Sequence, residues 1–248
     1  MGWRLPDRLW RETRSAGAAA PSALDTEGLP EPARRYLTRA MAPGVPPASA
    51  VRLSMHGEIR LKGWCRFRAE QVIRADGTMV WQARVRVAGL PVRGYDRLVN
   101  GRGAMRWRLL GLVPVASAAG PDITRSAIGR VLGERIWLPS ALAAPGIAWR
   151  AGNADTAVAA LSLLGESTEL ALTLAADGTV ESLAFPRWGD PDGRGYRYET
   201  FGGFVDRSAT FDGYTIPVRV RVGWYFGSPR FDAEGEFFRA AIDAAVLR

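Results

Sequence analysis

From Val51 onward the chain alternates. Val51, Leu53, Met55, Ile59 and Leu61 are apolar, and Arg52, Ser54, His56, Glu58 and Arg60 fall between them. A period of two sends the two sets to opposite faces of a strand. The beat resumes after Gly63. Cys65, Phe67, Ala69 and Ile73 oppose Arg66, Arg68 and Glu70, and then Met79, Trp81, Ala83, Val85 and Val87 oppose Gln82, Arg84 and Arg86. "ADGT" at 75–78 between these runs is a hairpin turn signal. Residues 89–116 predict two further short strands, broken near Asn100-Gly101. The pattern is that of an antiparallel meander with one apolar face and one arginine-studded face.

Two stretches leave this beat for a helical one. In "LPEPARRYLTRAM", Ala33, Tyr36, Leu37 and Ala40 share a face, and "APGVPPAS" ends the run. In "ITRSAIGRVLGERIWLPSAL", residues 123–142, Ile128, Val131, Leu132, Ile136 and Trp137 form an apolar side. Pro121 and Asp122 open this second helix, and Pro139 follows it. Strands then resume: "STELALTLAADGTVESLAF" turns at Asp177-Gly178, and Ile216, Val218, Val220, Val222 and Trp224 share a later face. Residues 187–195 read as a polar loop, and "EFFRAAIDAAVLR" predicts a short closing helix.

Nine or ten such strands seldom stay flat. The expectation is therefore α+β, mainly antiparallel β: a strongly curved sheet, or half barrel, with one or two covering helices. Residues 1–28 are expected to be an N-terminal tail and linker. Residues 29–248 are expected to be a single curved-sheet domain with a plug helix near 123–137.

Charge sharpens this picture. The net charge is +8, and Lys62 is the single lysine among 33 basic residues. Residues 50–110 alone carry a net of +9 and the remainder −1. The excess thus belongs to one face of the meander, which suits an anionic partner. No run of 18 apolar residues predicts a membrane helix, and the N-terminus lacks the apolar core of a secretion signal. The expected location is cytoplasmic, with a membrane-peripheral variant. Trp3, Leu5, Leu9 and Trp10 among arginines could touch a membrane or dock on their own domain.

Chemistry is sparse. With one histidine, His56, and one cysteine, Cys65, no Cys/His zinc set can form, and no cofactor is expected. On alternation Cys65 faces inward and His56 outward, so they point apart. No Gly-x-Ser-x-Gly elbow, phosphate loop or dinucleotide fingerprint occurs. Nucleic acid is not expected, because alternation sets Trp107 on the face opposite Arg106 and Arg108. Nine tryptophans remain, with Trp81, Trp137 and Trp224 among them. They fill a core or line an apolar ligand cavity, and periodicity does not separate the two.

Four stretches carry a resemblance: "LPEPARRYL", the Trp81-x-Ala-Arg84 strand, the Asp96-x-x-x-x-Gly101-x-Gly103 turn, and the helix end Glu134-x-x-Trp137-x-Pro139. Over residues 29–240 the chain resembles an uncharacterised bacterial family known as a domain of unknown function. In fold it also looks like the half barrels of periplasmic lipoprotein carriers and sigma-regulatory lipid sensors. Position by position, the family resemblance points to Trp81, Arg84, Asp96, Gly101, Gly103, Arg130, Glu134, Trp137 and Pro139, the glycines being most simply turn requirements.

The function expected is a non-enzymatic binding module for an apolar or amphipathic, anionic lipid-like molecule between sheet and helix. Candidate ligand-binding residues are Trp81, Arg84, Asp96, Arg130, Glu134, Trp137 and Trp224. Glu134 follows Arg130 by four residues, so the two can pair along the helix, and it is expected to meet an arginine of the basic segment, Arg84 being the candidate. An anionic membrane surface is a second expected partner. One alternative is an enzyme using Asp96, Glu134 and an arginine, which requires those groups within hydrogen-bond reach in a pocket. Another is a protein-interaction domain, which would show an exposed apolar patch.

Overall fold

The structure is a computed structural model, and it describes residues 5–13 and 26–248. Its first meander is β1 (Ala50–Arg60), β2 (Trp64–Arg74), β3 (Met79–Val87), β4 (Leu90–Val99), β5 (Arg102–Leu109) and β6 (Val113–Ala119). The second is β7 (Ala148–Asn153), β8 (Thr156–Leu163), β9 (Glu166–Leu174), β10 (Val180–Gly189), β11 (Arg197–Phe211), β12 (Tyr214–Trp224) and β13 (Glu236–Leu247). All neighbours are antiparallel, and β1 pairs with β13 to join the halves. The result is one 13-stranded sheet whose free edges are β6 and β7.

Among the described residues four α-helices accompany it: α1 (Leu5–Glu12), α2 (Glu31–Ala40), α3 (Pro121–Glu134) and α4 (Pro139–Leu142), with a π-helical turn at Phe231–Gly235. A single 3-10 turn, Arg135–Trp137, links α3 to α4. Helix α3 lies in the connection between the two free edges. It packs against β4, β5 and β6 on one side and β8, β9 and β10 on the other. Strands so far apart in the sheet can share one helix only if the sheet curls around it. The expected strongly curved, mainly antiparallel sheet with covering helices is therefore the observed architecture.

The inward phase of nearly every strand meets α3 in one core. Ile128, Val131, Leu132, Ile136 and Trp137 are all buried there, as their spacing predicts. Trp137 Nε1 donates to Pro217 O at 3.0 Å, which satisfies its indole in an apolar setting. Helix α2 closes another part of the concave side against β7, β8 and β12. Helix α1 packs on the outer face instead: Leu9 joins Val72 and Val80, with Leu5 and Trp10 at the rim. Docking is thus the structure of Leu5, Leu9 and Trp10. Trp3 and most of the expected linker lie outside the described residues.

Three expectations on elements need correction. The strands number thirteen rather than nine or ten. The 89–116 stretch spans three strands rather than two, because Leu110–Leu112 turns the chain into β6. The closing segment is strand β13, not a helix. It is hydrogen-bonded between β1 and β12, and pairing on both sides outweighs the helix preference of its alanines.

Candidate functional site

Helix α3 comes close to β10 because it carries two glycines one turn apart. A Cβ on Gly133 would lie 2.4 Å from the Phe185 ring, and one on Gly129 would lie 3.1 Å from Arg187 Cγ. Phe185 and Arg187 are two apart on β10, so they share its inward face. The glycine pair seats the helix over that strand and leaves its neighbouring face free to meet β2, β3 and β4.

Between α3 and the sheet lies a cavity of about 190 Å³. Its wall is mostly apolar: Trp81, Trp137, Phe185, Phe201, Phe237 and Phe238 supply the rings. The rings also hold one another. Phe67 stacks on Phe238 at 5.0 Å, and Trp81 meets Phe67, Trp107 and Phe238 edge-on or tilted at 5.7–6.1 Å. Trp81 Nε1 is buried and has no hydrogen-bond partner.

Four charged side chains enter this apolar wall: Arg130, Glu134, Asp96 and Arg187. Arg130 sits between the carboxylates. Its Nε donates to Glu134 Oε1 at 2.7 Å and its Nη1 to Asp96 Oδ2 at 3.1 Å. Its guanidinium carbon stands 5.2 Å over the Trp81 ring, a cation–π distance. Gln71 Nε2 donates to the other Glu134 oxygen at 2.6 Å, and Trp107 Nε1 donates to Asp96 Oδ1 at 3.2 Å. Each carboxylate thus receives two donors from different elements, which pins α3 to β2, β4 and β5. Burial pushes the Asp96 carboxyl above its ordinary value, against the opposing pull of Arg130, Trp107 and Arg187.

Arg187 is different. Among the described residues no carboxylate lies within ion-pair distance of it. Its Nε reaches Ser126 O at 3.4 Å, and its guanidinium lies over the Phe201 and Trp224 rings at 4.6 and 5.2 Å. Burial, then repulsion from Arg130, draws its pKa down to about 10, while Glu134 and Asp96 pull the other way. It remains charged at neutral pH. The cavity therefore holds a cation whose guanidinium has aromatic neighbours but no anion in contact.

Of the seven residues singled out by sequence, Trp81, Asp96, Arg130, Glu134 and Trp137 line this cavity. Trp224 stands behind it, packed on Phe201 at 5.1 Å and on Arg187. Arg84 does not join them. It is exposed on the outer face, where it borders a recess beneath α1 with Asp7, Arg68, Glu70 and Arg93. Glu134 accordingly pairs with Arg130 of its own helix and with Gln71, not with an arginine of the basic segment. The reason is phase: Arg84 follows the inward Ala83 on β3 and so points away. The phenylalanines Phe185, Phe201, Phe237 and Phe238 of the wall were not foreseen, nor were two polar residues of the site. Gln71 lies in the inward phase of Phe67, Ala69 and Ile73, and Arg187 continues the inward phase of Leu183 and Phe185.

Two solved structures are similar in fold. One is an outer membrane lipoprotein-sorting protein domain from Vibrio parahaemolyticus, 7% identical, covering 81% of this chain and 86% of that one, with a TM-score of 0.40. The other is a LolA superfamily protein from Nitrosomonas europaea, 10% identical, covering 88% and 92%, also with a TM-score of 0.40. Likeness at this level passes nothing about ligand or activity to the present chain. No curated protein matches the sequence. The family model for DUF6544, a family of unknown function, matches residues 19–233, and the chain belongs to that family.

Proposed function

We propose that this protein is a non-enzymatic binding module that holds one small amphipathic molecule between α3 and the sheet. The molecule's apolar body lies among Trp81, Trp137, Phe201 and Phe238, and its anionic end faces Arg187. The observation that carries this reading is Arg187 itself. A guanidinium set in an apolar wall without an anion in contact keeps bidentate donor capacity for a carboxylate, sulfate or phosphate oxygen.

Volume limits the ligand. A roughly 150 Å³ apolar cavity takes up benzene. A cavity of about 190 Å³ suits one ring or a short stretch of a single acyl chain. A two-chain lipid needs α3 to shift or its chains to leave through the mouth.

Charge adds a condition. Arg130, Asp96 and Glu134 together carry a net −1, which Arg187 balances from beyond contact distance. An arriving anion upsets that balance. Asp96, already raised by burial, is the group placed to take up a proton in response. Affinity for an anion that stays ionised, such as octyl sulfate, therefore rises as pH falls toward the ordinary carboxylate range.

Native mass spectrometry of protein purified without detergent tests the reading. The expected result is a discrete bound mass that is anionic on extraction and is lost in Arg187→Gln. A clean unliganded mass that also fails to shift with added octanoate or octyl sulfate would overturn it.

One observation favours an enzyme as the second reading: Asp96, Arg130 and Glu134 are within hydrogen-bond contact in a cavity. The donors against it are equally concrete. Both carboxylates are held by arginine and by a further N–H, as helix-docking groups would be. No Ser, Thr, Cys, Lys, His or Tyr joins them in the lining.

An anionic membrane as partner concerns a different surface, the outer end of the first meander.

A further inference from the structure

We propose that three hairpin tips of the first meander form one apolar edge that inserts shallowly into an anionic membrane surface. The turns after β1, β3 and β5 all lie at the same end of the meander, because its strands are consecutive and antiparallel. Successive tips stand two strands apart, about 10 Å. Leu110 N donates to Pro91 O at 2.8 Å and ties the second tip to the third.

These tips expose Leu61 and Trp64, Leu90, and Leu110, Leu112 and Val113. Leu112 is 74% exposed, the largest value among the exposed large apolar side chains described. Single exposed leucines are ordinary on a protein surface, but a row of them at one end marks an interaction surface.

Charge selects the partner. The segments 58–69, 84–95 and 104–120 contain nine Arg or Lys against one acid, Glu58, which lies opposite Arg66 and Arg239. Arg60, Lys62, Arg66, Arg86, Arg106 and Arg108 are exposed, and among the described residues none has a carboxylate within ion-pair distance. Nearby Glu234 is held by Arg230 instead. An apolar tip ringed by unneutralised cations matches a bilayer interface with acidic headgroups.

A second copy of the chain fits worse. An isologous contact would set these cations against themselves. Pro114 also interrupts the hydrogen-bonding row of free edge β6, which blunts edge-to-edge pairing.

The edge adjoins the cavity, since Ile59 lines it and is two residues from Leu61. The inference nevertheless does not depend on what the cavity binds.

Flotation of the full chain with phosphatidylglycerol vesicles and with phosphatidylcholine vesicles tests it. The protein is expected to float with the first and not with the second. Leu110→Ser/Leu112→Ser should lower bound protein about tenfold. Leu164→Ser, at an exposed turn outside the first meander, should leave it unchanged. Raised salt should weaken the attraction. The proposal is overturned by failure to float with phosphatidylglycerol, or by an equal loss in the Leu164 variant. It is also overturned if Arg106→Gln/Arg108→Gln abolishes binding while the leucine pair has no effect, since that is adsorption without insertion. A dimer in solution that the leucine pair converts to monomer would assign the edge to a second copy instead.

Discussion

The two faces of the same strands hold charge under different constraints: outside, pairing is optional, since Arg52 holds Asp7 and Glu70 while other arginines there go without an acid. On the inner face, Asp96 and Glu134 each receive two donors, and Arg130 spans both. On the outer face of the first meander, Arg66, Arg86, Arg106 and Arg108 stand without an acid in contact. Water accounts for the difference. An exposed guanidinium is solvated whether or not it has a partner, so pairing adds little. A charge inside must find its partners within the protein, because leaving it uncompensated is costly. By that standard Arg135 and Arg187 are exceptions among the described residues: Arg135 is buried without an acid in contact, and Arg187 is the one of the two that lines the cavity. Arg187 is half-buried among aromatic rings with no acid in contact, and on that ground we propose it as the anion-binding group.

The largest effect that tests this comparison is loss of an inner ring. Trp81→Ala removes the side chain that Phe67, Trp107, Phe238 and Arg130 all touch, and should cost about 3–5 kcal/mol in urea unfolding. Next is Arg130→Met, which strands two carboxylates that are 13% and 32% exposed. Their partial exposure trims the usual penalty for breaking a buried pair to about 2 kcal/mol. Adding Asp96→Asn and Glu134→Gln should recover part of that loss, since the helix then docks without charge.

The third effect is a pH dependence. The folded Asp96 carboxyl is raised above its unfolded value, so its relative contribution is fully present below about pH 3.8. It declines as pH rises through the folded value. The stability of the native protein relative to Asp96→Asn should therefore fall over that window, and a gap that widens with pH would reverse the assignment. The smallest effect belongs to the outer face. Arg84→Ala should change stability by less than about 0.5 kcal/mol and leave ligand binding intact.

How much of this was readable follows from the same contrast. Alternation at Val51–Leu61, Phe67–Ile73 and Met79–Val85 assigns the faces, because a one-residue slip would expose the whole apolar set. The buried side of α3 was equally readable from Ile128, Val131, Leu132 and Ile136. Segment 236–247 misled because alanines satisfy a helix as readily as a sheet interior, and pairing with β1 and β12 is not a local property. Arg187 was lost in a loop assignment, since "RWGDPDGRG" is rich in turn residues, although the phase of Leu183 and Phe185 runs straight into it. Arg84 was assigned to the site through family resemblance, against its own outward phase. The placement of Glu134 with Gln71 required the curl of the sheet, which no local pattern encodes.

The central claim is that Arg187 receives the anionic end of a small amphiphile. Its most direct measurement is a tryptophan-fluorescence titration of the native protein and Arg187→Gln with octanoate and with octanol. A charge-assisted contact of about 1.5–3 kcal/mol corresponds to roughly tenfold or more in affinity. The account predicts that loss for octanoate in Arg187→Gln, with octanol binding within about twofold of the native protein. Equal affinity of both proteins for octanoate would contradict the role of Arg187 while leaving the cavity as a binding site. Absence of binding by either ligand would contradict the binding module itself.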